Sequence, residues 1–309
     1  MRAGQGCVRI ARGAHGARAA LALALALASA SSASPGAPPD GSAAPSGPTP
    51  DRFDTIVLDP GHGGDDHGAR GPHGLYEKDL TLDVARRLAR QLEGRAFRVV
   101  LSRREDRFVG LDERTRIANE ARADLFVSIH ANGSEARAAR GVETYFASLE
   151  ATDEAASRLA RLENEAFGGA AAPAAAGVDP VAAILGDMLA TEHLALSQEF
   201  ARLALRALAA GGATHSRGVK QAPFVVLMGV QMPAALVEIG FVTNAREEAL
   251  LAQAAERERI ATLLAQAVDE FARRFDARRG AGAAVPAAGA PAAAPTPTGV
   301  APAPAGGGR

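Results

Sequence analysis

The chain has little cysteine, no excess of positive charge and no apolar run long enough for a membrane span. Its 309 residues include one cysteine, Cys7, so an intramolecular disulfide cannot stabilise the fold. Lys and Arg together number 34 and Asp and Glu 35, which gives a formal net charge of −1. A nucleic-acid-binding domain needs a basic face, so we expect no nucleic-acid partner. The Ala- and Leu-rich run at residues 19–28 is too short to cross a bilayer as a stable helix.

Residues 1–30 have the organisation of a secretory signal peptide. Four arginines accompany the apolar run, and Ala28-Ser29-Ala30 provides the small residues of a cleavage site. Cleavage there would remove Cys7 and the four arginines, which leaves a net charge of about −5 for unperturbed side chains. We therefore expect an exported, periplasmic protein with no stable membrane anchor after cleavage. An N-terminal anchor that is never cleaved is the alternative.

Composition divides the remaining chain into three parts. Residues 31–52 are rich in Ser, Pro, Ala and Gly and are expected to form a flexible linker. Residues 279–309 contain Pro-Ala repeats and a glycine run, which predict a disordered tail. Residues 53–278 between them suit a single catalytic domain.

Within that domain, short apolar runs alternate with amphipathic segments. The expected strands are 54–59, 97–102, 124–130, 141–146, 224–228 and 234–239, and the expected helices are 79–93, 111–123, 190–210 and 256–271. This alternation predicts an α/β fold, with a single twisted, largely parallel sheet and helices on both faces.

Residues 148–210 interrupt the alternation. This stretch is long, rich in alanine and helical in pattern, and residues 168–173 (GGAAAP) divide it. Insertions of this size between strands usually have a function, so we predict a helical regulatory insertion.

Four residues form a candidate catalytic set. His62 follows a buried strand on a glycine-rich turn, His130 ends another strand, and Glu238 is the only charge in a third apolar run. Glu77 directly precedes an amphipathic helix. Two histidines and one carboxylate make a three-ligand zinc site that leaves a fourth position for water. A second carboxylate, for which Glu238 is suited, would then transfer the proton.

Each of these residues also has a structural interpretation when taken singly. A histidine at a strand end is more often a hydrogen-bonded packing residue than a metal ligand. Glu77 would serve as an N-terminal helix charge, and Glu238 could be paired inside the core. The catalytic interpretation is favoured because three predicted strands could deliver such groups to one sheet edge.

Other polar residues rank lower. His67 and His73, in the glycine-rich loop, could reach a metal but are more simply solvated, and Asp112 is interpreted as a helix cap. The arginines of this region are interpreted as mostly solvated or ion-paired; they are Arg103, Arg104, Arg114 and Arg116.

Over residues 54–275 the chain resembles the zinc-dependent N-acetylmuramoyl-L-alanine amidases of bacterial cell-wall turnover and daughter-cell separation. The motifs that carry the resemblance are LDPGHGG at 58–64, EKD at 77–79, LSR at 101–103, SIHAN at 128–132 and VEIGF at 237–241. The resemblance implies that His62, Glu77 and His130 bind one Zn²⁺ and that Glu238 is catalytic. His67 stands where the family usually has proline and Asp65 where it often has an apolar residue, which departs from the expected loop.

The resemblance also implies a role for the insertion. Relatives with a similar insertion cover the site with a helix, and one glutamate of that helix can take the open position on zinc. Glu163 is the first candidate for this autoinhibitory contact and Glu165 the second. A protein activator would then displace the helix. Solvation of an exposed helix face by these glutamates is the alternative.

Three functions remain open at this point. The leading hypothesis is hydrolysis of the amide between the lactyl group of N-acetylmuramic acid and L-alanine in peptidoglycan. A zinc peptidase that cuts elsewhere in the stem peptide would need the same site chemistry, and only the resemblance separates the two. A catalytically silent wall-binding module should lack a ligand or the base, and neither is missing.

Overall fold

A computed structural model describes residues 52–166, 180–211 and 215–283, without the side chains of residues 166, 180–190 and 281–283. The predicted signal peptide, almost all of the predicted linker and most of the predicted tail lie outside the described residues. The last described helix ends at Ala283, beyond the expected domain end at residue 278. No helix of the described part is long and apolar enough to cross a membrane.

Six strands form one mixed sheet in the order β2-β1-β3-β6-β4-β5. The strands are β1 (Thr55–Pro60), β2 (Arg98–Leu101), β3 (Leu125–Asn132), β4 (Val142–Ala147), β5 (Ser216–Ala222) and β6 (Ala234–Phe241). Strands β2, β1, β3 and β6 are parallel to one another, and β4 is antiparallel to β6 but parallel to β5. The prediction of a largely parallel sheet is confirmed.

Helices cover both faces of this sheet. They are α1 (Glu77–Glu93), α2 (Leu111–Ala121), α3 (Glu154–Ala166), α4 (Pro180–Ala210), α5 (Val225–Met228), α6 (Ala245–Leu251) and α7 (Ala254–Ala283). On one face α1, α4 and α7 pack in a core that includes Leu88, Phe200 and Phe271, each 0% exposed. Helix α1 turns one apolar face to this core, where Leu80, Val84, Leu88 and Leu92 are all buried.

The second face carries a smaller core beneath α2, α3 and α5, in which Val57, Phe126 and Leu236 contribute from the strands. Side chains alternate between faces along a strand, so residues two positions further on point the same way. Asp59, His130 and Glu238 therefore lie on this second face, in step with Val57, Phe126 and Leu236. These candidate catalytic residues thus lie on the face of the sheet that α3 covers.

The predicted strand at residues 224–228 is wrong. The strand lies earlier, at Ser216–Ala222, and Val225–Met228 form the short helix α5. Pro223 follows β5 and cannot donate to a strand ladder, which ends the strand there. Periodicity alone cannot distinguish an apolar run of this length from a buried helical turn.

The predicted insertion contains two helices with different surroundings. The second half of α4 is part of the first core, where Phe200 and Ala204 are buried against the sheet. Helix α3 lies on the other face, where Ala156 and Ala160 are buried and Leu162 is 55% exposed. Within the described part of residues 148–210, α3 is therefore the helix on the side of the candidate site.

Candidate active site

The turn after β1 presents His62 to the sheet edge in a strained backbone conformation. His62 has a φ of 60°, in the left-handed region that non-glycine residues rarely adopt. Its side chain is nevertheless buried, and Nδ1 lies 2.8 Å from Oδ2 of Asp66. A carboxylate on one ring nitrogen fixes the orientation of the ring and leaves Nε2 directed into the pocket. Gly61 is required beside it, because a Cβ there would come within 2.4 Å of the His130 ring.

Two buried arginines hold this turn from below. Arg114 donates to the carbonyl oxygens of Pro60 and His62 at 2.8 and 2.9 Å, and also to Oδ1 of Asp59 at 2.6 Å. Arg103 donates to the carbonyl of Pro60 at 3.0 Å and that of Gly61 at 2.8 Å. These arginines were expected to be mostly solvated or ion-paired: Arg114 is ion-paired but buried, and Arg103 is buried against backbone carbonyls rather than solvated. Their guanidinium groups satisfy carbonyls that an irregular turn leaves without ladder partners.

The Asp59 carboxylate beneath the turn remains charged. Burial opposes its ionisation, but the charge of Arg114 and hydrogen bonds from Ser102 and Arg114 outweigh this and lower the pKa of Asp59 below its usual value. Ser128 donates to the other carboxylate oxygen at 3.0 Å. Asp59 therefore links β1, β3 and α2 directly under the site.

Glu77 connects the two histidines. It begins α1, and its Oε1 lies 3.1 Å both from Nε2 of His62 and from Nδ1 of His130. Its two oxygens also accept backbone N–H groups, from Ala131 at 2.9 Å and from Ala69 at 2.8 Å. Burial opposes the charge, but the nearby imidazoles and their hydrogen bonds hold the pKa of Glu77 well below its usual value. The carboxylate is thus ionised and fixed between both rings.

His130 and Glu238 come from neighbouring strands in register. His130 on β3 is paired with Glu238 on β6, and the rings of His130 and His62 have centroids 5.0 Å apart. Glu238 is 0% exposed, and neither of its carboxylate oxygens has a hydrogen-bond partner among the described residues. Burial, followed by the negative charges of Glu77 and Glu163, raises the pKa of Glu238 well above its usual value.

Glu163 reaches the same pocket from α3. Its Oε2 lies 3.3 Å from Nδ1 of His130 and 3.6 Å from Nε2 of His62. The potential ligand atoms of His62, His130 and Glu163 all lie within 4.8 Å of one another. Burial raises the pKa of Glu163, although the two imidazoles oppose this shift. Asn164, the next residue, bonds to the Pro223 carbonyl and the Val225 N–H, each at 2.9 Å, and so holds the end of α3 against α5.

The structure does not bring Glu165 to the site. Its side chain is 63% exposed and faces Arg161 across one helical turn. The loop histidines are also elsewhere: His67 lies against Tyr76, with ring centroids 5.0 Å apart, and His73 pairs with the buried Glu248 at 2.6 Å. Asp112 is not a cap, because α2 has Gly110 at its N-cap position.

The donor set fits a zinc ion. Two imidazoles and carboxylate oxygens are ligands that zinc accepts in catalytic sites. Burying His62, Glu77, His130 and Glu238 together is costly unless a charge partner or ligand compensates, and the unpartnered Glu238 oxygens in the pocket indicate such a requirement. The four residues singled out in the sequence therefore meet in one place. Asp66 was missed, although its position four residues after His62 in a polar loop is a usable signal for a supporting carboxylate.

Comparison with known proteins identifies the family of this chain. The family model described as N-acetylmuramoyl-L-alanine amidase (Amidase_3) matches residues 56–270. AmiC of Neisseria meningitidis is 36% identical over 230 residues, which is 74% of this chain and 55% of that protein. AmiA of Escherichia coli is 36% identical over 222 residues, 72% of this chain and 77% of that protein. The chain thus spans about half the length of the first of these relatives.

Solved structures with the same fold include an N-acetylmuramoyl-L-alanine amidase from Clostridium difficile 630, with a TM-score of 0.55 and 28% identity. It covers 72% of this chain, and 97% of its own length is matched. AmiC2 of Nostoc punctiforme gives a TM-score of 0.54 at 28% identity, with 72% of this chain and 98% of that one covered. Together with the family match, these likenesses confirm the relationship expected from the motifs: this chain belongs to the N-acetylmuramoyl-L-alanine amidase family.

Proposed function

We propose that the protein is a zinc-dependent N-acetylmuramoyl-L-alanine amidase that cuts the amide between N-acetylmuramic acid and L-alanine in peptidoglycan. The observation that carries the proposal is the meeting of His62, Glu77 and His130 beside the buried, unpartnered carboxylate of Glu238. Family membership favours this bond over another bond of the stem peptide. The presence of all four groups argues against a catalytically silent wall-binding module.

The first three residues would hold the metal. Nε2 of His62 and Nδ1 of His130 face the Glu77 carboxylate, and Asp66 holds the far nitrogen of His62. Zinc at such a site supplies Lewis-acid chemistry, which acidifies water and polarises a carbonyl. The rigid turn, with its carbonyls bound by Arg103 and Arg114, keeps the His62 imidazole in position for the metal.

Glu238 would move the proton. A carboxylate with a raised pKa accepts a proton from the attacking water more readily than an exposed glutamate does. The protonated acid then gives this proton to the nitrogen of the departing L-alanine, which leaves as an amine. The carbonyl carbon keeps the water oxygen as the carboxylate of the lactyl group. Glu238 needs no bond to the metal for this role.

Helix α3 would keep the enzyme inactive. Glu163 lies where it can bind the same cation as the histidines, and it would thereby exclude water or the substrate carbonyl. Asn164 and the buried residues of α3 hold the helix over the site in this arrangement. A protein activator that displaces α3 would open the pocket. Control of this kind suits an exported, periplasmic enzyme that acts on the cell wall during daughter-cell separation.

Product analysis tests the proposal directly. The zinc-loaded Glu163→Ala protein should convert purified muropeptides into free stem peptides that begin with L-alanine and into sugars that keep the lactyl group. Mass spectrometry distinguishes these products from fragments cut within the peptide. Cleavage at a peptide bond of the stem, with the lactyl amide intact, would show that the enzyme is a peptidase instead.

A further inference from the structure

The loop between His62 and Glu77 carries a stack of side chains next to the proposed metal ligands. The ring centroids of His67 and Tyr76 lie 5.0 Å apart at an interplanar angle of 34°. The guanidinium of Arg70 lies 5.2 Å from the centroid of the Tyr76 ring. His67 and Arg70 are exposed and Tyr76 is half-buried. The proposed mechanism uses none of these three side chains.

The backbone of this loop is in direct contact with two of the proposed ligands. A Cβ on Gly68 would lie 2.5 Å from Cδ2 of His62 and 2.7 Å from Oε2 of Glu77. His67 directly precedes Gly68, and consecutive Cα atoms are about 3.8 Å apart. Tyr76 directly precedes Glu77 in the same way. The stack therefore begins beside the ligands on both arms of the loop.

Hydrogen bonds hold this loop at its base and at its tip. At the base, Glu77 donates its backbone N–H to the Ala69 carbonyl at 2.9 Å, and its Oε2 accepts the Ala69 N–H at 2.8 Å. At the tip, Oε1 of the buried Glu248 accepts the N–H groups of His73 and Leu75, each at 3.0 Å. A surface that is fixed before binding loses little conformational entropy when a ligand arrives.

A flat aromatic surface of this kind suits a sugar ring. The face of an aromatic ring is electron-rich, so it attracts the positively polarised C–H groups on the face of a pyranose. The guanidinium of Arg70 beside the stack carries N–H donors for the hydroxyl and carbonyl oxygens of a sugar. L-alanine, the first residue of the stem peptide, offers no ring. The glycan is therefore the part of the substrate that the stack fits.

We propose that the stack of His67 and Tyr76 is a sugar-binding subsite, which holds the N-acetylmuramic acid ring of the glycan while its amide lies at the metal. The proposal rests on the proposed function, because in that reaction the sugar is joined to the reacting carbonyl through the lactyl group alone. The sugar then lies close to the metal ligands, where the loop in contact with His62 and Glu77 presents its rings.

Ligand binding tests the proposal without depending on turnover. Peptide-free glycan strands and free stem peptides are titrated separately into the zinc-loaded Glu163→Ala protein by calorimetry. Adding Tyr76→Leu removes the ring but keeps an apolar side chain. It should weaken binding of the glycan by about 3- to 10-fold, the size of a lost aromatic contact, and leave binding of the peptide unchanged. Tyr76→Phe keeps the ring and should retain the affinity for the glycan.

Tyrosine fluorescence provides a local measurement of the same event. The chain has no tryptophan, and its second tyrosine, Tyr145, is 1% exposed. Glycan should therefore change the tyrosine emission of the Glu163→Ala protein. Tyr76→Phe should abolish this change while the affinity is retained. An equal change of emission in the Tyr76→Phe protein would place the sugar away from the stack.

Two results of the calorimetry would overturn the proposal. They are unchanged affinity for the glycan in the Tyr76→Leu protein and equal weakening of glycan and peptide, which would assign Tyr76 to the structure of the loop alone. Hydrolysis of the lactyl amide by the Glu163→Ala protein would leave the proposed function intact in either case. Glycan binding that depends on Tyr76, without hydrolysis of the lactyl amide, would keep the subsite and reject the proposed function.

Discussion

Oε2 of Glu163 lies 3.3 Å from Nδ1 of His130, so a helix outside the sheet contributes a carboxylate to a pocket built by three parallel strands. Only one of the two candidate glutamates has this placement, since Glu165 faces solvent beside Arg161. The contact is the basis of the inhibitory role proposed for α3. Glu163 and Glu165 therefore offer a matched pair of substitutions on one helix.

Glu163→Ala should raise the basal hydrolysis of peptidoglycan by about 10- to 100-fold, because a closed state favoured by a few kcal/mol loses its contact to the site. Release of dye-labelled fragments from purified sacculi, without any added partner, measures this. Glu165→Ala is the control and should match the parent. Equal activity of all three proteins, each folded and zinc-loaded, would rule out α3 as an inhibitory plug.

His130→Ala should abolish stoichiometric zinc binding, because it removes one of two imidazoles from the site. Metal analysis after dialysis measures the zinc content, and His67→Ala, which alters a histidine stacked on Tyr76, is the control. Thermal stability should fall less than activity, since a core of this size does not depend on the metal to fold. One zinc per chain in the His130 variant would show that the ligand assignment is wrong.

Glu238→Gln should lower turnover by about 10²–10⁴-fold, the usual contribution of positioned proton transfer. Glutamine keeps the shape of the side chain but cannot accept the proton from water. Zinc content should stay at the parent level, which separates this role from that of a ligand. A variant with more than roughly a tenth of parental turnover would contradict the assignment.

Asp59→Asn should destabilise the fold by about 3–5 kcal/mol at pH 7, because Arg114 would keep a buried charge without its carboxylate. The pKa of Asp59 is lowered in the folded protein, so its contribution is fully present above the unfolded pKa of about 3.9 and is lost as pH falls below that value. Urea unfolding at several pH values measures this difference.

The exposed pair Arg116–Glu120 provides the control for that experiment. Arg116→Met should leave the unfolding midpoint almost unchanged. If Asp59→Asn also left the unfolding midpoint almost unchanged, the buried pair Asp59–Arg114 would not stabilise the turn beneath the site.

The sheet, its parallel character and the meeting of His62, His130 and Glu238 could be predicted from sequence, because apolar runs that end on polar residues indicate strand termini. Glu163 could not be separated from Glu165 in this way. The choice depends on the rotation of α3 about its axis, which Ala156, Leu159 and Ala160 fix by packing in the second core.

The arginines show a second limit of sequence interpretation. Arg103 and Arg114 are polar residues in polar surroundings along the chain, yet each is 1% exposed because the carbonyls of an irregular turn converge on them. Such convergence depends on backbone groups from distant segments. The prediction of β5 was wrong for a related reason. Ser216–Ala222 contain few apolar residues and form an edge strand, so the sequence carries little signal for this strand.

The reversed direction of β4 means that the length of α3 sets where Glu163 lies. Because β4 is antiparallel to β6, the chain leaves β4 at the edge away from the histidines, and α3 returns from Asp153 beside Lys220 to Glu163 at the pocket. Inserting one residue in this helix would turn Glu163 by about 100° and shift it about 1.5 Å. Evolution can therefore exchange side chains along α3, but a change in its length between these two carboxylates would uncouple the helix from the site in a single step.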